Sequence, residues 1–279
     1  MLEQREGKFR GTDERELFYR VQLPAGRPPK AVVIAVHGHG DHSGGLLNLL
    51  DRLAERGYAV YAYDQRGYGQ SEGIRGYIKQ WSEYTNDLHT FRTMVQDEQP
   101  RLPVFLVGHS LGGLVCIDYV MSHGKGLSGL VAIAPAISAR LSLADKLLTN
   151  LLGWIKPDLT VQKSGDYASL TSDPDMLARL EADELRHSTV TPGLGRGLTQ
   201  AVPRVMKQAK ALKLPFLLQL SAEDRVTPPD GQRLFYEALG SPDKQKLEYA
   251  NAGHRPFDDR DRERFLADLG GWLDHHCDK

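Results

Sequence analysis

Cysteine is nearly absent: Cys116 and Cys277 are the only two in 279 residues, which excludes a disulfide framework and any Cys-x-x-Cys metal or redox motif. A reducing compartment suits such usage. Long apolar runs are missing as well. The longest, Ala31 to Val36 and Gly129 to Ile137, fall far short of the roughly 20 residues that span a bilayer. Nor does charge of either sign dominate, because 35 Lys and Arg face 36 Asp and Glu for a net charge of -1, so no global field favours nucleic acid or an anionic membrane. The N-terminus, MLEQREGKFRGTDERELFYR, is charged throughout and lacks the apolar core of a signal peptide. Cytoplasmic residence is the expectation. No internal repeat or low-complexity segment is present.

What remains is the composition of an ordinary globular protein, 41% hydrophobic and 25% charged. At about 150 residues per domain, the length implies one large domain or one domain carrying an insertion. Ten histidines stand out, and His37, His39, His42, His109 and His254 sit in glycine-rich contexts.

After residue 30, short apolar runs alternate with helical patterns. AVVIAV (31–36), YAVYAYD (58–64), VFLVGH (104–109) and GLVAIAP (129–135) are separated by helical stretches near 43–56, 81–98 and 110–123. All-apolar strands joined by helices predict a mostly parallel, doubly wound sheet covered on both faces, an α/β protein. From 137 to 203 no strand-like run occurs, and short helices broken at Gly153, Pro157, Pro174 and TPGLGRG are expected. The alternation resumes with PFLLQLS (215–221), a helix near 230–239, KLEYA (246–250) and a helix near 259–276. The organisation expected is therefore a core of residues 1–136 and 204–279, interrupted after the sixth strand by a helical cap of residues 137–203.

The strongest signal is Gly108-His109-Ser110-Leu111-Gly112-Gly113, a G-x-S-x-G between a buried strand and a helix, the context in which that motif forms a nucleophile elbow. The turn strains the serine and projects its hydroxyl beside the positive end of the new helix. A serine hydroxyl is a weak nucleophile and needs a base oriented by an acid. Loops at the carboxyl ends of later strands supply both: Asp224, with Glu223 as its rival, after PFLLQLS, and His254 after KLEYA. Asp224 is preferred because its short side chain suits a rigid turn.

With these residues placed, the chain resembles the α/β-hydrolase superfamily, and within it the monoacylglycerol lipase and lysophospholipase branch, from about residue 30 to the end. His37-Gly38-His39-Gly40-Asp41-His42-Ser43-Gly44 looks like that branch's H-G-x-G-E-H segment, Asp64 to Gly73 like its D-x-x-G-x-G-x-S-x-G loop, and Asp224-Arg-Val-Thr-Pro and Gly253-His254 like its remaining triad motifs. The resemblance implies an oxyanion hole from the backbone N–H groups of His39 and Leu111, and a head-group side of the site near Asp41. Two departures stand there: Asp41 replaces Glu, and Gly45-Leu46 replaces the Arg-Tyr pair often seen after H-S-G. The implied activity is a cofactor-independent serine hydrolase of lipid-like carboxylic esters, monoacylglycerols first, with lysophospholipids or short-chain esters as alternatives.

Two other readings compete with this one. His37-x-His39-x-Asp41-His42 also spells the H-x-H-x-D-H of metallo-β-lactamase-type hydrolases, and such clusters suit zinc. That fold packs two mixed sheets, whereas residues 31–135 read as parallel crossover units, so no metal is expected. A non-catalytic scaffold of the same fold would usually lack a triad member, and all three are present. Gly193-Leu-Gly195-Arg-Gly197 lacks the spacing and preceding strand of a dinucleotide loop. In the cap, residues 141–155 are amphipathic, and Leu147 and Leu151 are expected to line an acyl site or to touch a membrane or micelle surface.

Overall fold

The computed structural model describes residues 2–138, 143–162 and 166–277, and for 143–148 the backbone only. Its core strands are β1 (Leu2–Arg10), β2 (Glu16–Pro24), β3 (Ala31–Val36), β4 (Tyr58–Tyr63), β5 (Val104–His109) and β6 (Gly129–Ile133). The helices α1 (Leu47–Glu55), α2 (Ser82–Glu98) and α3 (Leu111–His123) lie between them. The cap segment carries α4 (Leu143–Ile155), β7 (Val161–Gln162), α5 (Pro174–Ala182), β8 (Thr189–Val190) and α6 (Pro192–Gln208). The chain closes with β9 (Phe216–Ser221), α7 (Pro229–Ala238), β10 (Lys244–Tyr249) and α8 (Arg262–Cys277).

Eight strands form one sheet in the order β1-β2-β4-β3-β5-β6-β9-β10. From β4 to β10 every pairing is parallel, while β1 and β2 add an antiparallel edge. β3, β4, β5, β6 and β9 are buried along their whole length, as strands covered by helices on both faces must be. Each face packs its own apolar cluster, Leu114, Leu88 and Val205 on one side and Leu50, Leu217 and Leu269 on the other.

The register fixes the site. Val36 at the end of β3 pairs with Gly108 of β5, and His109 with Ile133 of β6. Tyr249 at the end of β10 pairs with Ser221 of β9. The loops after β3, β5, β9 and β10 therefore open side by side along the carboxyl edge, where ligands bind in doubly wound sheets.

Three local readings differ from expectation. The β1–β2 hairpin carries charges along an exposed edge, so no apolar alternation betrays it. The pair β7–β8 is two residues per strand, too short for a period of two to register. TPGLGRG does not interrupt the cap but begins α6: Thr191 caps it by accepting from the Leu194 N–H at 3.2 Å, and Pro192 occupies the first turn. The glycines that should weaken this helix are where it meets its neighbours closely. A Cβ at Gly193 would lie 2.5 Å from the Ile78 carbonyl oxygen, and one at Gly195 would collide with Thr149 of α4.

Candidate active site

Ser110 sits between β5 and α3 with φ 53° and ψ -116°, a left-handed strained backbone, and is 7% exposed. Its N–H donates to Ile133 O at 2.9 Å and its carbonyl accepts from Ala136 N at 3.0 Å, which locks the turn to the end of β6. The turn can be this tight only because α3 presses on the sheet. A Cβ at Gly112 would collide with the carbonyl oxygens of Val36 and His37, and one at Gly108 would lie 2.5 Å from Gly112 O. The Leu111 N–H belongs to the first turn of α3, where helix donors have no partner within the helix.

The acid and base come from the two loops paired through Ser221 and Tyr249. Asp224 is buried in a turn of its own making. Its Oδ1 accepts from the N–H groups of Val226 and Thr227 at 2.8 and 2.9 Å. Its Oδ2 accepts from Thr227 Oγ1 and from His254 Nδ1, both at 2.8 Å. Burial pushes this carboxyl up, but the hydrogen bonds from His254 and Thr227 outweigh it and hold Asp224 below the ordinary carboxylate value. With Nδ1 donating, the proton-free nitrogen of a neutral His254 is Nε2. Glu223 is exposed and borders a neighbouring polar cavity. The His254 loop is held from two sides: His254 N–H donates to Ser169 O in the cap at 3.1 Å, and His109 Nε2 donates to His254 O at 2.9 Å.

The segment after β3 lies directly on the serine. A Cβ at Gly38 would meet Ser110 Cβ at 3.0 Å. His37 is wholly buried; its Nε2 accepts from Gln65 N–H at 2.9 Å, so its Nδ1 donates to Gly38 O at 2.7 Å. In a planar trans peptide the N–H points opposite the C=O. His37 therefore turns the His39 N–H away from itself and fixes that orientation. His39, Asp41, Ser110, His254, Arg186, His187 and Arg255 line one cavity of about 340 Å³, within the usual range for small-molecule sites.

Sequence reasoning missed the cap's part in this cavity. Arg186 and Arg255 close on Asp41 from two sides, Arg186 Nη1 on Oδ1 and Arg255 Nη1 on Oδ2. Burial alone would raise the Asp41 carboxyl, but the two guanidinium groups hold it well below the ordinary range. His187 donates from its backbone N–H to Gly40 O at 3.2 Å and stacks on Tyr68 with centroids 4.8 Å apart. His39 Nε2 donates to Thr189 O at 2.9 Å, and His42 Nε2 pairs with Asp183 at 2.8 Å. Each member of the H-x-H-x-D-H segment thus has its own protein partner, and among the described residues no group of three or more His, Cys, Asp or Glu is placed to hold a metal ion. Arg255 directly follows His254, which was a signal available in the sequence; Arg186 offered none.

The expectations for the cap leucines fare differently. Leu147 falls where the side chains lie outside the described residues. Leu151 does not line the cavity; it is 58% exposed on α4 beside Trp154 and Ile155 at 73% and 68%. The amphipathic pattern gave the apolar stripe but not the surface it meets. Gly153 and Thr149 turn toward α6, which leaves Leu151 facing out.

Three neutral histidines make the site sensitive to acid. Burial lowers His37, lowers His109 far, and with the nearby His39 lowers His187 to about 4. Unfolded, each takes up a proton near pH 6.5. Between about pH 6.5 and 4 the unfolded chain binds more protons, so stability is greatest above that window and declines as pH falls through it. The melting temperature should drop between pH 7 and 5, and His187→Gln should flatten part of that slope. A profile flat over this range in the unaltered protein would contradict the assignment of neutral histidines.

A strained serine on an elbow at the carboxyl edge, sharing one cavity with a histidine bound to a buried aspartate, fits an α/β-hydrolase. A family model described as "Serine aminopeptidase, S33" matches residues 27–261, and the chain belongs to that family. It is 30% identical over 277 residues to a monoacylglycerol lipase of Mycolicibacterium smegmatis, covering 97% of each chain. It is 33% identical over 246 residues to a monoglyceride lipase of Rattus norvegicus, covering 87% of this chain and 80% of the relative. The solved structure of a Paleococcus ferrophilus monoacylglycerol lipase superposes with a TM-score of 0.82 at 30% identity over 99% of each chain.

Proposed function

We propose that the chain is a serine hydrolase of carboxylic esters that cleaves monoacylglycerols to fatty acid and glycerol. The observation that carries this is Ser110 and His254 lining one cavity with Asp224 bound behind the histidine, in a chain whose relatives over nearly its whole length include monoacylglycerol lipases. In this reading His254 Nε2 takes the Ser110 proton as Oγ attacks the ester carbonyl. The tetrahedral oxyanion is met by the N–H groups of His39 and Leu111. Collapse releases the alcohol, protonated by His254, and water then cleaves the acyl-enzyme by the same route.

The test has two parts. A fluorophosphonate should label Ser110, located by mass spectrometry. Release from C4, C8 and C16 monoacylglycerols and from lysophosphatidylcholine should then favour the longer monoacylglycerols; a steep preference for C4 would remove the lipid reading.

No helix among the described residues is long and apolar enough to cross a membrane. The outward Leu151, Trp154 and Ile155 of α4 suit shallow contact with a lipid surface instead. Trp154→Ser with Ile155→Ser should weaken vesicle binding, each lost side chain removing on the order of 1.5–3 kcal/mol if fully buried in lipid. Unchanged co-sedimentation with vesicles would refute the contact.

A further inference from the structure

We propose that Arg186 is a specificity-determining residue that donates to a neutral hydroxyl oxygen on the alcohol part of the ester, and that Asp41 acts on the substrate through it. The proposal rests on the ester-hydrolase reading and concerns how the leaving alcohol is recognised. The acidic residue after H-G-x-G was expected to meet the head group itself, yet its two oxygens are bound by Arg186 and Arg255. Gly45 makes this possible. A Cβ there would collide with Asp41 Oδ1, and the Gly45 carbonyl accepts from Arg255 Nη2. Arg255 is further fixed by Asp258, which accepts from its Nε at 2.8 Å.

Among the described residues Arg186 has no second anchor of this kind. Its side chain is 5% exposed, it lines the cavity that contains Ser110 and His254, and its Nε–H is buried without a hydrogen-bond partner. A buried unpaired donor is costly, and more so on a charged group. Nε has almost no surface open to the cavity, so the guanidinium must turn toward a ligand acceptor as it binds, and that turn satisfies the donor. The charges decide what kind. Arg186 and Arg255 are balanced by Asp41 and Asp258, and Asp166 lines the same cavity. A phosphate would add an uncompensated anion there, whereas a hydroxyl adds none.

Sites built to bond a substrate hydroxyl discriminate strongly against analogues that lack it. The unaltered protein should therefore favour a monoacylglycerol over the methyl ester of the same acid by about tenfold or more in kcat/KM. Arg186→Lys keeps a cation opposite Asp41 but removes the Nε donor; it should bring that ratio close to one, with the change in KM. Arg186→Met should do the same and serves if the lysine variant melts early. An unchanged ratio, or an equal fall for both esters, would overturn the proposal. So would a 1-acylglycerol 3-phosphate becoming the preferred substrate in an Arg186-dependent way. Failure of the hydrolase reading would look different: no turnover of either ester and no fluorophosphonate label.

Discussion

Ser110→Ala should lower kcat on a monoacylglycerol by about a million-fold while leaving the melting temperature nearly unchanged, by analogy with removal of the nucleophile in another serine hydrolase. The size follows from the mechanism. Without Oγ there is no acyl-enzyme, and only binding and oxyanion stabilisation remain, which in that comparison are worth about 10³–10⁴ over water. The fold should tolerate the change, because the strained turn is held by main-chain bonds from Ser110 N to Ile133 O and from Ala136 N to Ser110 O rather than by the hydroxyl. His254→Ala should cost a similar factor, since residues acting as a unit are not additive. Turnover within tenfold of the unaltered protein in either variant would remove the serine mechanism.

Asp224→Asn should lower kcat by about 10⁴. The carboxylate accepts four hydrogen bonds, two from main-chain N–H groups, one from Thr227 Oγ1 and one from His254 Nδ1. An amide can keep the turn but offers one acceptor oxygen and an NH₂ in place of the second. If the turn holds the oxygen at its N–H donors, the NH₂ faces His254, and the imidazole must accept there. Its proton then moves to Nε2, and the base facing Ser110 is lost. Glu223→Gln is the control, because Glu223 is exposed and outside this network. A loss in Glu223→Gln equal to that in Asp224→Asn would reverse the assignment of the acid.

How much of this was legible in the sequence depends on how local the signal is. The sheet was legible because parallel strands covered on both faces are apolar along their length, as in Ala31–Val36 and Gly129–Ile133. Ser110, Asp224 and His254 were legible because each ends a strand or follows one by a few residues, where an α/β sheet places its ligand site. Residues whose meaning depends on distant partners were not. Arg186 acquires its place by meeting Asp41, 145 positions away, and no periodicity encodes that. Leu151 shows the converse limit. An apolar stripe does not name its partner, and α6 took the face carrying Gly153. The edge hairpin β1–β2 escaped because its outer strand is charged and exposed, as unpaired edges tend to be.

The ties between cap and core bear on how this fold could be recombined. Asp183, Arg186, His187 and Thr189 all come from one short cap segment, and each holds a residue between His39 and His42. The loop that carries His39, whose N–H is proposed to meet the oxyanion, is thus held by residues 183–189. A cap transplanted from a relative would change more than the substrate entering the site; unless it supplied equivalent ties, it would also loosen the geometry of the chemical step. Residues 183–189 and the loop 39–42 that they hold would have to be exchanged together for the site to keep its geometry.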